Sequence, residues 1–280
     1  MKKSVRETFR VGADADLSAI DSKGRPIGPR DKAAAAEAVR DLGMRLDALQ
    51  EALTAEASGG GPRSVLLVLQ GMDTAGKGGV VRHVAGLVNP QGLAIASFKE
   101  PTAEELARDF LWRIRERVPR PGQIGVFDRS HYEDVLVARV DRLVPEEVWR
   151  ARYDAINAFE AELDSQGVTI VKCILHISPE KQAERLLERL DDPAKRWKYN
   201  PHDVDTRLKW PQYMQAYTDA LRFCSTDAAP WYVIPSDRKW YRNWAVAALL
   251  AETLTAMGPR FPEPDFDLEA EKARVKAAVV

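Results

Sequence analysis

The chain has 280 residues, 45% of them hydrophobic and 30% charged, with a formal net charge of −1. These values are typical of a globular protein with one α/β core and an appendage, and the near-neutral charge argues against a nucleic-acid partner. No apolar run approaches the roughly 18 residues that a membrane helix needs. The basic N-terminus is not followed by the apolar run of a secretory signal, so neither a membrane segment nor an export signal is expected.

The two cysteines, Cys173 and Cys224, are far apart in sequence and lie in apolar or mixed surroundings. This pattern favours buried thiols in a reducing cytoplasm over a disulfide or a metal-binding pair. The four histidines are scattered and show no zinc-ligand spacing. A cytoplasmic location is therefore expected.

Residues 1–60 are predicted to form an N-terminal arm followed by a helix. Glycine and proline residues crowd the stretch 21–32 and favour an extended arm. An apolar stripe at alternating three- and four-residue steps then predicts a helix over 32–57. The residues of this stripe are Val39, Leu42, Leu46, Leu49 and Leu53.

Strand and helix signals alternate between residues 61 and 258, which predicts a mostly parallel sheet covered by helices on both faces. The predicted strands span 64–70, 93–98, 123–128, 168–177 and 231–235. The predicted helices span 77–88, 102–117, 146–166, 179–190, 206–223 and 239–256. The charged interval 191–230 has no strand signal, so a helical lid is expected at about 189–225. Residues 259–280 are a separate C-terminal segment with a predicted helix at 266–278.

Two stretches concentrate positive charge. Residues 195–209 contain five Lys or Arg against two Asp. A second cluster comprises Arg108, Arg113, Arg115, Arg117 and Arg120. If both clusters face one cleft, the ligand is a polyanion; the alternative is that each is an ordinary solvated helix face.

The sequence GMDTAGKGG at 71–79 follows the first predicted strand and precedes a predicted helix. Gly71, Gly76 and Lys77 match a phosphate-binding loop, in which backbone N–H groups and a helix N-terminus hold an anion. Gly78 replaces the Ser or Thr that normally follows the lysine and holds Mg²⁺. This context favours phosphate binding over an ordinary glycine turn. The loop residues expected at the phosphate are Gly71, Ala75, Gly76 and Gly78.

Two acids are candidates for the missing metal contact. Asp128 ends the third predicted strand, where nucleotide enzymes place a metal-facing carboxylate, and Arg129 beside it can point at the same phosphates. Asp73 lies inside the loop, where an acid would repel phosphate unless a cation intervened. Two carboxylates with phosphate oxygens commonly bind Mg²⁺, so Mg²⁺ is the expected cofactor, with Mn²⁺ as a substitute. A turn residue at Asp73 and a helix N-cap at Asp128 are the alternatives.

Four segments resemble, in order and spacing, the family 2 polyphosphate kinases, or polyphosphate:nucleotide phosphotransferases. The segments are GMDTAGKGG, DRSHYEDVL, DDPAKRWKYN and APWYVIPSDRKWYRN, and the resemblance covers about residues 30–257. It implies a P-loop α/β kinase fold with a helical lid, similar to thymidylate kinase. It also implies Mg²⁺-dependent, reversible phosphoryl transfer from polyphosphate to AMP or ADP. An ATP-dependent small-molecule or nucleotide kinase of the same fold is the alternative.

The resemblance also implies roles for individual residues. Asp73, Lys77 and Arg82 resemble the family's Walker A contacts, and Asp128 and Arg129 resemble its Walker B pair. The residues that resemble lid contacts are Arg189, which would meet the transferred phosphate, and Lys195 and Lys198 on the polyphosphate path.

Two sequence variations bear on these roles. His131, Tyr132, Glu133 and Asp134 resemble the class III branch, whose members phosphorylate both AMP and ADP, so Glu133 is expected to influence nucleotide choice. His131 itself is expected to pack or orient rather than to transfer protons. Where relatives commonly have Trp-Asp-x-Tyr in the lid, this chain has Trp-Pro-Gln-Tyr, with Pro211 and Gln212 at the two middle positions. Polyphosphate and adenine nucleotides are the implied partners, together with self-association into a dimer or tetramer.

Overall fold

Five short apolar segments pair into one sheet in the computed structural model, which describes residues 3–278. The strands are β1 Ser64–Gln70, β2 Leu93–Ser97, β3 Ile124–Asp128, β4 Val168–His176 and β5 Trp231–Pro235. Their order is β2-β3-β1-β4-β5, and every neighbouring pair is parallel. The predicted strands and the mostly parallel sheet are therefore confirmed.

Helices cover both faces of this sheet. They are α1 Val5–Phe9, α2 Lys32–Ser58, α3 Lys77–His83, α4 Ala103–Leu106, α5 Trp112–Arg115, α6 Glu133–Val140, α7 Glu146–Ser165, α8 Pro179–Asp191, α9 His202–Leu208, α10 Trp210–Cys224, α11 Lys239–Met257 and α12 Leu268–Ala277. Side chains alternate along β1: Val65, Leu67 and Leu69 enter the larger core with α2 and α11, whereas Leu66 and Val68 pack with α5 and α7. This two-sided burial explains why β1 reads as a continuous apolar run.

Some helix predictions were wrong in their extent. The helix predicted over 102–117 is two short helices, because the Asp109 side chain accepts the Leu111 N–H at 3.0 Å and forms a turn between them. The helix predicted over 77–88 ends at His83 and continues as a 3₁₀ turn. Helix α6 was not predicted at all.

The N-terminal arm is helical at its start and strengthens the sheet. Val5 and Phe9 of α1 are buried in the main core. Arg10 bridges Tyr232 in antiparallel fashion, and the Val11 N–H donates to the Trp231 carbonyl at 3.1 Å. The arm therefore covers the edge of β5, which a wholly extended, detached arm would not do.

The segment expected as a lid divides into two parts. Residues 192–209 are mostly exposed, but α10 contributes buried side chains to the main core and packs on α6 and α7. Helix α10 is therefore part of the core, whereas residues 192–209 lie largely outside it. Pro211 sits in the first turn of α10, where its missing N–H costs nothing.

The C-terminal helix α12 has no buried side chain. None of the helices in the described range 3–278 is long and apolar enough to cross a membrane.

Candidate active site

The loop after β1 wraps a space at the carboxyl edge of the sheet. Gly71 adopts a φ of 145°, and a Cβ there would lie 2.6 Å from the Leu175 carbonyl oxygen. Gly76 adopts a φ of 113° immediately before α3. Because the first N–H groups of a helix have no intrahelical acceptor, the start of α3 can donate them to an anion. The loop therefore has the backbone shape of a phosphate cradle.

Position 78 has room for a side chain larger than that of glycine. A Cβ built at Gly78 meets no atom within 4 Å, and its φ lies outside the left-handed range. A Ser or Thr could therefore fit at this position. The absent hydroxyl is a chemical difference from an ordinary P-loop, not a steric one.

Lys77 spans the mouth of the loop, where its Nζ donates to the Gly71 carbonyl at 2.7 Å. Burial lowers the pKa of Lys77, and the positive charge of Arg129 lowers it further. The acids Asp73, Asp128 and Glu133 oppose that change. A lysine held in this way can bind a phosphate oxygen without first being ordered.

Arg129 links the acids of the site. Its backbone lies in the left-handed region at a φ of 66°, uncommon for a residue with a side chain. Its guanidinium contacts the Asp73 carboxylate at 3.1 Å and the Glu133 carboxylate at 3.7 Å. The charge of Glu133 is the main reason that the pKa of Arg129 is raised. The left-handed turn thus directs Arg129 back over the loop.

Glu133 begins α6 on the other side of Arg129. Burial raises the pKa of Glu133, although the charges of Arg129 and Lys77 lower it in part. The protonation of an acid in this position is sensitive to a cation or a nucleotide phosphate that binds above the loop.

Asp73 and Asp128 both line the cleft above the loop. The parallel register places Asp128 beside Leu69, so β3 delivers its carboxylate next to the end of β1. Residues 3–278 contain no group of three or more His, Cys, Asp or Glu arranged to hold a metal ion. Two carboxylates that share a cation with substrate phosphates suit Mg²⁺, which rarely occupies an all-protein cage.

The lid side chains expected to bind polyphosphate face the same cleft. Arg189 pairs with Asp203 at 3.1 Å and donates to the Lys198 carbonyl at 3.0 Å. Lys195 pairs with Asp192 at 2.8 Å. With Arg82 from α3, these cations line a cleft of about 1440 Å³ that also contains Lys77.

The second basic cluster does not converge on this cleft. Only Arg113 of its five arginines lines it. Arg115 pairs with Glu162 at 2.7 Å, and Arg108 pairs with Glu104 at 3.2 Å. Those two side chains are bound on the outer surface, as the solvated-face alternative predicted.

Sequence reasoning missed two arginines that donate to loop carbonyls and line the cleft. Arg242 lies in the quoted segment APWYVIPSDRKWYRN, but its role was not predicted, and Arg185 of α8 was not singled out. Arg242 Nη1 donates to the Ala75 carbonyl at 3.0 Å, and Arg185 Nη1 donates to the Thr74 carbonyl at 2.8 Å. Gly71 and Ala75 are buried, so they shape the loop and do not themselves line the cleft.

Known proteins of similar sequence and structure carry related names. The family described as polyphosphate kinase 2 (PPK2) matches residues 30–262. A protein of Meiothermus ruber named AMP/ADP-polyphosphate phosphotransferase is 51% identical over 259 residues, covering 92% of this chain and 96% of that one. An ADP-polyphosphate phosphotransferase of Rhodopseudomonas palustris is 40% identical over 269 residues, covering 91% of each chain.

A solved structure agrees with these sequence matches. The crystal structure of polyphosphate kinase 2 from Arthrobacter aurescens TC1 superposes with a TM-score of 0.96 at 46% identity, covering 99% of this chain and 98% of that one. The P-loop kinase-like fold inferred from the sequence is therefore confirmed. With the family match over most of its length, the chain belongs to the polyphosphate kinase 2 family.

Proposed function

We propose that this protein transfers the terminal phosphoryl group of inorganic polyphosphate to AMP or ADP, with Mg²⁺ as cofactor. The observation that carries the proposal is the single cleft shared by Lys77 of the loop, Arg129 after β3 and Arg189 of the lid. The names of the relatives from Meiothermus ruber and Rhodopseudomonas palustris support the same donor and acceptors.

The chemistry needs positioning more than proton transfer. The acceptor is a phosphate monoester whose second pKa is about 6, so its attacking oxygen is already anionic near neutral pH. The protein must instead bring two mutually repelling anions into line and neutralise the group in transfer. Lys77 and the loop N–H groups would bind the transferred phosphate, and Arg129 would face its oxygens from the side of β3.

Asp73 and Asp128 are the residues that would hold Mg²⁺. When bound, the ion supplies positive charge that offsets repulsion between the carboxylates and the phosphate oxygens. Arg129 already neutralises part of the Asp73 charge at 3.1 Å. The two carboxylates would thus replace the hydroxyl that Gly78 lacks.

The lid is proposed to be residues 189–209, with Arg189, Lys195 and Lys198 as its phosphate-facing cations. Arg189 would exchange its Asp203 partner for a substrate phosphate as the polyphosphate chain enters. The rest of the domain proposal is an N-terminal arm and helix at 1–60, a core at 61–258 and a C-terminal helix at 259–280. Glu133, close to Arg129 and Lys77, is proposed to influence the choice between AMP and ADP.

One assay tests the reaction and its main rival. Purified protein is mixed with Mg²⁺, AMP and polyphosphate, without any nucleoside triphosphate, and products are followed by ³¹P NMR and ion-exchange chromatography. Formation of ADP or ATP is expected. No product from polyphosphate, but transfer from added ATP, would instead support a conventional nucleotide kinase. Binding of polyphosphate without transfer from either donor would reject both kinase functions.

A further inference from the structure

Two buried arginine side chains, Arg185 and Arg242, contact the loop and line the cleft, and neither has an ion-pair partner within the described chain. Arg185 is 5% exposed and Arg242 is 3% exposed. Among residues 3–278, no carboxylate lies within 4.0 Å of either guanidinium. A buried charge without a partner is costly, so such side chains are uncommon unless something else compensates them.

Backbone carbonyls provide part of that compensation. Arg185 Nη2 donates to the Ser236 carbonyl at 2.7 Å and to the Asp237 carbonyl at 2.9 Å, while its Nη1 binds the loop carbonyl of Thr74. Its Nε has no hydrogen-bond partner within the described chain. Arg185 thus connects the loop to the turn after β5, yet keeps unused donor capacity.

Arg242 approaches the loop so closely that it accounts for two glycines. A Cβ at Gly76 would lie 1.7 Å from Arg242 Nη1, and a Cβ at Gly79 would lie 2.6 Å from its Nη2. Asn243 orients the guanidinium by accepting from both Nε and Nη2, at 3.1 and 2.8 Å. The guanidinium is therefore fixed against the loop by Ala75 and Asn243.

This arrangement fixes the direction of one loop N–H group. In a trans peptide the C=O and N–H bonds point in opposite directions. Because Arg242 and Arg185 donate to the Ala75 carbonyl at 3.0 and 3.3 Å, the Gly76 N–H is turned away from them. Burial lowers the pKa of Arg242 to about 9, and the nearby charge of Arg185 contributes, as expected for a cation that lacks a counter-ion. Burial also lowers the pKa of Arg185, although the charges of Asp237, Glu188 and Glu184 oppose that change.

We infer that Arg185 and Arg242 are positioning residues for phosphoryl transfer, which hold the loop in its anion-binding shape and attract the phosphate chain with their positive charge. The missing counter-ion is then the substrate, an inorganic phosphate chain bound above the loop. This inference rests on the proposed function for its reaction, but not for anion binding, which can be measured separately.

The test separates charge from geometry with Arg242→Gln and Arg242→Lys. Calorimetry measures the affinity for inorganic tripolyphosphate, kinetics measure kcat and KM with polyphosphate and AMP, and thermal unfolding checks the fold. Arg242→Gln should weaken tripolyphosphate binding about tenfold and lower kcat by about 10². Arg242→Lys should keep most of the affinity but lose kcat, because it retains the charge without the planar contacts to Ala75 and Asn243.

Arg63→Gln is the control for loss of an arginine away from the cleft. Arg63 also donates to a backbone carbonyl, that of Met257, but it is paired with Glu56 and lies before β1 at the opposite end of the strand. A purely structural role for Arg242 would make the two Gln variants alike, with lower stability and unchanged tripolyphosphate affinity, and would overturn the inference. If Arg242→Gln does not fold, Arg185→Lys and Arg242→Lys decide: wild-type kcat in both would overturn it as well.

Failure of the reaction and failure of the inference give different results. If the wild-type protein transfers no phosphate from polyphosphate, the proposed function fails, while the tripolyphosphate arm still tests Arg242. If the wild type is active and Arg242→Gln retains its affinity and kcat, only the inference is overturned.

Discussion

Two clusters of charged side chains differ in how fully their hydrogen bonds are used. One lies in the cleft around Lys77, and the other is buried around Lys172 and Glu160. In the buried cluster, Lys172 Nζ donates to Glu160 at 2.5 Å, to the Tyr132 hydroxyl at 2.7 Å and to the Cys224 carbonyl at 2.7 Å. Its three N–H bonds are therefore all used. In the cleft, Lys77 Nζ has one such partner within the described chain, the Gly71 carbonyl.

The two clusters differ in how many of their hydrogen-bond donors already have a partner within the protein. Burial alone would raise the pKa of Glu160, but Lys172 and the donor His131 hold it below its ordinary value, so Glu160 remains an anion. The pair compensates itself and has no capacity left for a ligand. The cleft cations keep donors free and face about 1440 Å³ of open space, which suits a ligand of opposite charge. Unused hydrogen-bonding capacity, more than charge itself, distinguishes the candidate site from the scaffold.

Breaking the buried cluster should give the largest effect. Lys172→Met removes one member of a buried pair and leaves Glu160 uncompensated, which should lower the free energy of unfolding by about 3–5 kcal/mol. Urea unfolding measures this loss. The double variant Lys172→Met/Glu160→Gln should recover much of it, because no lone charge remains. A single variant as stable as the wild type would contradict the comparison.

Breaking the cleft should impair turnover and spare stability. Asp128→Asn should lower kcat by about 10² or more, as when one electrostatic contact to a transition state is lost. Its unfolding free energy should be equal or higher, since one of several neighbouring acids becomes neutral. Asp164→Asn, at an exposed position near the end of α7, is the control and should change neither quantity. Near-normal turnover in Asp128→Asn would remove that residue from the site.

Removing the Asp203 charge from the proposed lid should have a smaller effect, on the KM for polyphosphate. Asp203 occupies Arg189 at 3.1 Å, and burial raises the pKa of Asp203, with the charge of Asp73 as a further cause. Asp203→Asn frees Arg189 and removes a negative charge beside this cleft cation, so the KM for polyphosphate should fall about two- to fivefold, the scale of one partly exposed ion pair. Asp205→Asn, on the exposed side of α9, is the control. An unchanged or higher KM in Asp203→Asn would mean that Asp203 does not restrain Arg189.

The smallest effect concerns pH and the N-terminal arm. His176 Nε2 donates to the Ile20 carbonyl at 3.0 Å. Burial lowers the pKa of His176, although this hydrogen bond and the charges of Asp237 and Asp21 oppose the change. A depressed histidine pKa favours the neutral form in the folded state. His176 therefore contributes stability above its ordinary pKa of 6.5, and this contribution is lost as the pH falls below that value.

His176→Gln tests this dependence. The amide keeps a donor for Ile20 but cannot titrate, so urea unfolding between pH 7.5 and 5 should show a shallower loss of stability than in the wild type. Parallel pH profiles for the two proteins would show that His176 does not titrate differently on folding.

Much of the fold could be predicted from the sequence, because parallel strands buried on both faces appear as short apolar runs. The loop, Lys77 and Asp128 could be located because local sequence determines a strand, a glycine turn and a helix start. The ends of helices were less predictable: the turn at Asp109 depends on one side-chain hydrogen bond. The depth of α10 in the core depends on contacts with α6 and α7, which are distant in sequence.

The missed part of the site is the part that forms only in three dimensions. Arg185 and Arg242 lie 57 positions apart (242 − 185). Both donate to the carbonyl of Ala75, which is 110 residues upstream of Arg185. No spacing rule connects them. Their clearest sequence signal is indirect, since Gly76 and Gly79 leave room for the Arg242 guanidinium.

The arm that covers β5 has a practical consequence for anyone who shortens this chain. The family match starts at residue 30, so a truncated gene that follows it would discard α1 and the Arg10–Tyr232 bridge. The outer edge of β5 would then expose unpaired backbone N–H and C=O groups, which can pair with a strand of another chain and so promote aggregation. An expression trial that compares full-length and trimmed versions should find the trimmed version less soluble, although its P-loop is intact.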